Sequence, residues 1–293
     1  MHEPVLLNEV IELLQPKEGD EYLDVTAGYG GHSGRILDIT KSNGVLVDRD
    51  EHAIKELQKK FARFENIEIL HMDFLQACKK LHEQGRVFDM LLADLGVSSP
   101  HLDNVDRGFS LLADAPLDMR MDPGQNLTAA DVVNTYTEAD LERILRVYGE
   151  EPKARKLAAL IVASRPITTT LQLAELAKKV WPGHSRVHPA TRLFQAVRIE
   201  VNDELGQLKQ ALPLMVDLLK PGGRLAIISF HSLEDRIVKR FFKTMSEQRY
   251  DAPLSELTKR PLTASSQELV FNPRARSAKI RAVVKIKIKE GQG

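Results

Sequence analysis

Short apolar runs alternate with stretches of helical spacing along the first hundred residues. Between the runs, Ala53, Leu57 and Phe61 recur at helical intervals. Runs that are apolar at every position, separated by helices, are typical of parallel strands with both faces covered. The predicted strands lie at residues 22–27, 44–48, 67–72 and 88–95.

Helical spacing then dominates from about residue 107 to residue 202, where we predict no strand. Prolines separate the apolar stretches of this block, which favours several short helices. The predicted helices lie at residues 129–133, 138–148, 153–164, 171–180 and 190–201.

The strand pattern resumes at residues 224–230, after the turn signal Lys220-Pro221-Gly222-Gly223, and a helix is predicted at 234–245. Residues 250–273 are polar and bear prolines, which predicts a long loop. The last predicted strand, 282–288, alternates apolar residues with lysines. We expect an antiparallel or edge strand there, with Lys285 on a face exposed to water.

These patterns predict one α/β sheet domain formed by residues 1–106 and 203–293. Residues 107–202 form an inserted, mainly helical domain. About 300 residues are enough for this arrangement.

The composition is that of an ordinary globular protein, with 43% hydrophobic and 28% charged residues. No apolar run approaches the roughly 20 residues of a membrane span, and the first residues lack the basic segment of a secretory signal. The single cysteine, Cys78, excludes an internal disulfide and sits in a helical pattern typical of a buried thiol. We find no metal-ligand spacing, and we expect a cytoplasmic protein that contacts no membrane.

The formal net charge is zero, but the charge is unevenly distributed. Residues 1–150 hold 15 basic and 28 acidic side chains, whereas residues 151–293 hold 26 basic and 13 acidic ones. Such asymmetry indicates a region that binds a polyanion. The alternative, that the two halves neutralise each other in the fold, stays open at this point.

A glycine-rich turn, Gly28-Tyr29-Gly30-Gly31, follows the first predicted strand and opens a helix. Glycines at this position allow a sharp turn and a close approach of the backbone to a ligand. The dinucleotide pattern G-x-G-x-x-G is not met, because Ser33 occupies the place of the third glycine.

Acidic residues follow the other strands of this half. Asp48 and Asp94 end the second and fourth strands, and Asp73 follows the third, next to Phe74. Each alone could be a helix cap or a surface charge, but in an open α/β sheet all of them would border one ligand crevice. Acids suit a cationic ligand better than a pyrophosphate. The pattern therefore resembles class I (Rossmann-like) S-adenosylmethionine-dependent methyltransferases more than dehydrogenases.

Longer motifs carry a more specific resemblance, to the bacterial ribosomal RNA small-subunit methyltransferase H family (MraW type). The resemblance extends from Pro4-Val5-Leu6-Leu7 to Arg276, apart from residues 250–269. The motifs are Asp94-Leu95-Gly96-Val97-Ser98-Ser99-Pro100-His101, Arg107-Gly108-Phe109-Ser110, Pro116-Leu117-Asp118-Met119-Arg120, His188-Pro189-Ala190-Thr191-Arg192, Ser229-Phe230-His231-Ser232-Leu233-Glu234 and Asn272-Pro273-Arg274-Ala275-Arg276-Ser277.

The resemblance implies S-adenosyl-L-methionine as cofactor. It also implies methylation of the exocyclic N4 of one cytidine in the decoding region of 16S ribosomal RNA, within the small ribosomal subunit. Whether the enzyme is a homodimer stays open. The family's cofactor contacts fall on Gly30, Gly31, His32, Asp48, Phe74, Asp94 and His101, with His101 standing where the family has glutamine.

For catalysis, we expect Asp94 or a backbone carbonyl of residues 95–98 to accept a proton from N4, and Ser98 or Ser99 to orient the base. Asp94 could instead only bind the amino group of the cofactor, and the two serines could be turn caps.

Several aromatic and basic residues are candidates for contact with RNA, although each could be a core residue or part of a solvated basic face. Phe109 and Phe230 are candidates to stack on the unstacked base, and His231 could reach the mouth of the crevice. The remaining candidates are Arg186, His188, Arg192, Arg198, Arg274, Arg276, Lys279 and Arg281.

Two other functions remain as alternatives. One is an amino methyltransferase acting on DNA or another RNA, although Asp94-Leu95-Gly96-Val97 lacks the proline pair of the common DNA type. The other is a non-catalytic S-adenosylmethionine-binding factor of ribosome assembly. Such a factor would be expected to have lost part of the crevice.

Overall fold

The computed structural model describes residues 4–96, 104–183, 187–247 and 252–286. The chain divides into two compact units, Met1–Gly96 with Leu205–Gly293, and Val97–Glu204. Among the described residues, no helix is both long and apolar enough to cross a lipid bilayer.

The first unit is built on a seven-stranded sheet of strand order β3-β2-β1-β4-β5-β7-β6. β1 to β5 pair with one another in parallel, and β7 is antiparallel to both β5 and β6. The strands are β1 Tyr22–Asp24, β2 Gly44–Asp48, β3 Ile67–His71, β4 Phe88–Asp94, β5 Leu219–Ser229, β6 Leu254–Glu256 and β7 Lys279–Lys285.

Helices cover the sheet of the first unit and make up most of the second. In chain order they are α1 Leu7–Leu14, α2 Gly31–Thr40, α3 Glu51–Lys60, α4 Phe74–Glu83, α5 Ala129–Thr135, α6 Glu138–Val147, α7 Ala154–Ala163, α8 Thr170–Val180, α9 Thr191–Asn202, α10 Glu204–Asp217, α11 Ser232–Met245 and α12 Ser266–Phe271.

The sheet is buried on both faces, as its continuous apolar strands predict. In β4, Leu91 and Ala93 join one core cluster, which includes Phe242 of α11. Met90 and Leu92 join a second cluster on the other face. The prediction of an α/β fold with a parallel sheet is therefore confirmed.

The last strand is antiparallel, as predicted, but it differs from its prediction in place and in burial. β7 begins at Lys279 and lies between two strands, so it is not an edge strand. Lys285 is only 8% exposed, and its Nζ donates to the carbonyls of Val216, Asp217 and Leu219 at 2.9, 3.2 and 2.7 Å. These three acceptors satisfy the buried ammonium group, so the expected wet face is wrong.

Residues 250–273 were predicted to be a loop, but the described part of this segment holds β6 and α12. β6 is only three residues long, and its partner is the later strand β7. Such a short strand leaves no periodic signal in the sequence. α12 begins after Ser265, whose hydroxyl accepts from the backbone N–H of Glu268.

The second unit has helices α5 to α9 packed around one apolar core. Side-chain caps start three of these helices, at Thr128, Thr137 and Thr169. Among its described residues, the extended structure is limited to a single isolated bridge between Pro116 and Thr169. The predicted helical character of this segment agrees with these elements.

Candidate cofactor and active site

Three strands of the first unit end in a carboxylate at the same edge of the sheet. Asp24 ends β1, Asp48 ends β2 and Asp94 ends β4. Asp73, which follows β3, caps α4 by accepting from the backbone N–H of Gln76 at 2.8 Å. Because these strands are parallel, their carboxyl ends border one edge, which is where open α/β sheets bind ligands.

Asp24 is the centre of a buried hydrogen-bond network that the sequence analysis did not single out. Its carboxylate is 1% exposed and accepts from the hydroxyls of Tyr22 and Ser33 and from the backbone N–H of Thr26. Burial raises the pKa of Asp24, although these donors oppose that rise. Ser33, which replaces the third glycine, therefore ties α2 to the end of β1.

Asp48 holds the glycine-rich turn in place. Its Oδ2 accepts from the backbone N–H of Gly28 at 2.7 Å, and its Oδ1 accepts from that of Asp50 at 2.8 Å. The turn needs glycine at position 30, where φ is +70° and a Cβ atom would lie 2.6 Å from the ring of Phe61. The glycine-rich turn and Asp48, which the sequence pattern places near each other, are therefore joined by a hydrogen bond.

The next glycine of the turn, Gly31, is the first residue of α2 and is required for packing. A Cβ atom at this position would lie 2.7 Å from Cγ of Pro4. The N-terminal segment therefore packs directly on the turn.

His32 lies beside Asp94, and both are largely buried. His32 Nε2 is 2.8 Å from the carbonyl oxygen of Val5, and His32 Nδ1 is 3.8 Å from Asp94 Oδ2. Burial lowers the pKa of His32 to about 4. Burial, followed by the charges of Asp24 and Glu234, raises the pKa of Asp94 well above its usual value.

The two oxygens of the Asp94 carboxylate differ in environment. The side chain is 26% exposed, yet its Oδ1 is buried and accepts no hydrogen bond from the residues that the structure describes. The backbone N–H of Asp94 donates to Thr26 Oγ1 at 2.6 Å, which fixes the end of β4 against that of β1. Among the residues that the structure describes, no lysine or arginine pairs with Asp94. Asp94 and His32 Nδ1 therefore present acceptors that fit a cationic ligand.

Phe74 is the first residue of α4 and is partly buried against the core of the sheet. Phe230 follows β5 and lies beside Gly96, where a Cβ atom would be 3.4 Å from the Phe230 ring. Both aromatic residues therefore belong to the same edge of the sheet as the carboxylates.

His231 is the N-cap of α11. Its Nδ1 accepts from the backbone N–H of Glu234, and Glu234 Oε2 accepts in return from the backbone N–H groups of Phe230 and His231. This capping box gives His231 a structural role at the start of the helix.

Four of the predicted site residues, Ser98, Ser99, His101 and Arg186, lie outside the described residues. Four other predicted site residues belong to the second unit and differ in exposure: Phe109, His188, Arg192 and Arg198. Arg192 is exposed on α9, and the ring of His188 accepts from the backbone N–H of Ala190.

Phe109 and Arg198 are held inside the second unit. Phe109 is 7% exposed in its core. Arg198 forms a two-pronged ion pair with Glu204, at 2.8 and 2.9 Å. These contacts give both residues a packing role, so we do not retain them as RNA contacts.

The C-terminal cations also divide into buried and exposed residues. Arg276 is exposed and Arg274 half-buried in a 3₁₀ turn, Pro273–Ser277, directly before β7. Arg281 is 5% exposed, and its Nε donates to Asp235 Oδ1 at 2.7 Å. The prediction that Arg281 contacts RNA is therefore wrong, because its guanidinium is already bound inside the fold. Lys279 lies 3.7 Å from the same carboxylate.

The sequence matches the MraW methylase family over residues 1–286. It is 47% identical to a "Ribosomal RNA small subunit methyltransferase H" from Syntrophotalea carbinolica, over 96% of this chain and 97% of that protein. A protein of the same name from Caldicellulosiruptor saccharolyticus is also 47% identical, over 97% of this chain and 99% of that protein.

Among solved structures, an rRNA methylase from Streptococcus thermophilus is 11% identical, with a TM-score of 0.44 over 98% of this chain and 99% of that one. The strand order, not this distant likeness, establishes the fold. The match to the family confirms the predicted family and enzyme class, and the chain belongs to the MraW methylase family of S-adenosylmethionine-dependent methyltransferases.

Proposed function

We propose that this enzyme transfers a methyl group from S-adenosylmethionine to the exocyclic N4 of a cytidine in the decoding region of 16S ribosomal RNA. The membership of the MraW methylase family and the names of the relatives support this substrate. The structural observation that supports it most directly is the pair of acceptors, Asp94 and His32 Nδ1, at the end of β4.

The residues of this edge fit the cofactor group by group. The ammonium of its amino acid tail would be held by Asp94 and His32 Nδ1, which offer acceptors and a negative charge. Asp48 would accept from the ribose hydroxyls beside Gly30 and Gly31, and Phe74 would lie against the adenine. When bound, S-adenosylmethionine supplies an electrophilic methyl group on a sulfonium.

The acceptor of the methyl group, N4, is a weak nucleophile because its lone pair is delocalised into the cytosine ring. It must also lose a proton once the new N–C bond forms. Asp94 is the acceptor that we assign to that N–H, so its carboxylate would both bind the cofactor and orient N4. Ser98 and Ser99, which follow in the chain, would orient the base.

The cytidine must leave its stack to reach the cofactor. Phe230, beside Gly96, is the residue we assign to stack on the unstacked base, and His231 would border the same opening. Residues 107–202 would form the substrate-recognition domain, in which Arg186, His188 and Arg192 contact the phosphate backbone. Arg274 and Arg276 would contribute the same kind of contact from the first unit.

We propose the rRNA within the small ribosomal subunit as the substrate, and hence a cytoplasmic site of action.

Labelled S-adenosylmethionine should be offered to unmodified small subunits, to free 16S rRNA and to DNA, followed by nucleoside analysis. The expected product is N4-methylcytidine in RNA, at one position, with subunits preferred over free rRNA. Label in DNA alone would identify the DNA-type amino methyltransferase instead, and binding without transfer would identify a non-catalytic factor. Sedimentation of the enzyme alone would show whether it is a homodimer.

A further inference from the structure

An exposed aromatic ring stands on the first unit, outside the site described above. Phe271, the last residue of α12, is 73% exposed, and its neighbour Val270 is also 73% exposed. Among the phenylalanines, tyrosines and tryptophan that the structure describes, Phe271 is the only one that is exposed. Single exposed apolar side chains are common on protein surfaces, but a valine and a phenylalanine exposed side by side form an apolar patch of the kind that marks interaction sites.

The helix that carries Phe271 is fixed to the rest of the unit. Glu268 Oε1 accepts from the backbone N–H of Leu6 at 2.8 Å. Asn272 is 4% exposed, and its backbone N–H bonds to the carbonyl of Glu268. The bond of Glu268 to Leu6 and the burial of Asn272 fix the helix on either side of Phe271, whose ring is exposed.

Two sets of contacts place this helix at the edge of the sheet that carries the candidate cofactor site. Leu6, which is bonded to α12, directly follows Val5, whose carbonyl is bonded to His32. The turn after α12 leads into Lys279, which pairs with Ser229 at the carboxyl end of β5. Phe271 is therefore connected to the His32 and Asp94 pair through one short series of contacts.

The sequence that follows Phe271 is basic. Arg274 and Arg276 follow it within five residues, and the sequence from 269 to 289 contains no acidic residue. Exposed rings next to cations are the combination that proteins use to bind single-stranded nucleic acid, because every base has a face that stacks and every nucleotide has a phosphate.

We infer that Phe271 is a stacking platform for an unpaired nucleobase of the rRNA substrate, with Arg276 contacting a neighbouring phosphate. The inference rests on the proposed function and adds to it a second base-binding position, separate from the target cytidine. The basic surroundings favour RNA over a second copy of this chain as the occupant, because two copies of a cationic surface would repel each other.

The test compares Phe271→Ala and Phe271→Trp with Val87→Ala, a control at an exposed apolar residue just before β4, at the opposite end of that strand. Three quantities would be measured: the Kd for a fluorescent single-stranded rRNA fragment spanning the target cytidine, and the kcat and KM for methylation of unmodified small subunits. The alanine variant should raise the Kd and the KM for RNA roughly 5- to 100-fold, the range of one lost base stack. Its kcat and its affinity for S-adenosylmethionine should not change, and the tryptophan variant should bind RNA as well as the wild type or better.

An unchanged Kd for RNA in Phe271→Ala would overturn the inference. So would a change in oligomeric state caused by Phe271→Ala, since that would show that the ring contacts a second copy. The proposed function has its own test, and it is contradicted if the wild-type enzyme makes no N4-methylcytidine. Even in that case, the Kd for RNA still tests the role of Phe271.

Discussion

His32 presents a lone pair, not a proton, to Asp94. The carbonyl of Val5 can only accept, so the ring proton of neutral His32 resides on Nε2, 2.8 Å from that oxygen. Nδ1 is then an acceptor, 3.8 Å from Asp94 Oδ2. Two acceptors that face each other at this distance are stabilised by a donor between them, and a ligand ammonium would be such a donor.

The first prediction concerns the stability of the protein against pH. The pKa of His32 is near 6.5 in the unfolded chain and about 4 in the fold, so between these pH values the unfolded state binds more protons. The free energy of unfolding should therefore fall as the pH is lowered from 6.5 to 4, with His32 accounting for up to about 3 kcal/mol.

The control is His32→Gln, whose amide can still donate to Val5 but does not titrate. Urea unfolding of both proteins at pH 4.5 and pH 7 measures the difference. If the two proteins lose the same stability between these pH values, His32 is not the titrating group.

The second prediction concerns cofactor affinity. The pKa of Asp94 is raised by its burial and by nearby acids, and a cationic ligand binds the ionised carboxylate better than the protonated one. Affinity for S-adenosylmethionine should therefore fall as the pH is lowered through the raised pKa of Asp94. Asp94→Asn should bind about 10- to 100-fold more weakly at neutral pH, the range for one charged hydrogen bond, and with a flatter pH profile. Calorimetric titration from pH 5 to pH 8 measures both effects.

The result for Asp94→Asn also separates the two roles assigned to this residue. If the cofactor is supplied at saturating concentration, a residue that only binds the ammonium should leave kcat nearly intact. A residue that also accepts from N4 should lower kcat by roughly 10²-fold or more. Full turnover at saturation would remove Asp94 from the chemistry of N4.

The third prediction concerns Lys285. Its ammonium group is buried and donates to three backbone carbonyls, so Lys285→Met should leave these acceptors without partners. We expect a loss of about 2–4 kcal/mol in the free energy of unfolding. The exposed lysine Lys259, changed to Met in the same way, should alter stability by less than about 0.5 kcal/mol. Equal unfolding midpoints in denaturant for the two variants would contradict this account.

Lys285 also shows where a sequence pattern fails. An alternation of lysines and apolar residues indicates a strand with one wet face. Nothing in the sequence reveals that three carbonyls at the end of α10 and the start of β5 will meet the ammonium. The same reason applies to Phe109, Arg198 and Arg281. The residues that each of them contacts come together only in the folded chain, and no sequence pattern indicates them. Local patterns could place β2 and the helices of the second unit, since their periodicity is contained within one element.

The candidate site was more predictable than these contacts. Asp48 and Asp94 stand at strand ends, and parallel strands bring such ends to one edge whatever the details of packing. The network of Tyr22, Asp24 and Ser33 was missed because its hydrogen bonds join a strand to the helix that follows. The serine in place of a glycine was the one signal that could have indicated it.

The last prediction separates the two kinds of C-terminal arginine. Arg281 is bound to Asp235 in the interior, so Arg281→Met leaves this largely buried carboxylate with only Lys279, at 3.7 Å, and we expect a loss of about 3 kcal/mol in stability. Arg276 is exposed, so Arg276→Ala should leave stability unchanged and weaken RNA binding. The logarithm of the RNA binding constant, plotted against the logarithm of salt concentration, should then have a slope smaller in magnitude by about 0.7, the value for one lost phosphate contact on a single strand. If Arg276→Ala changes neither this slope nor the affinity for RNA, the RNA-binding surface lies elsewhere on the enzyme.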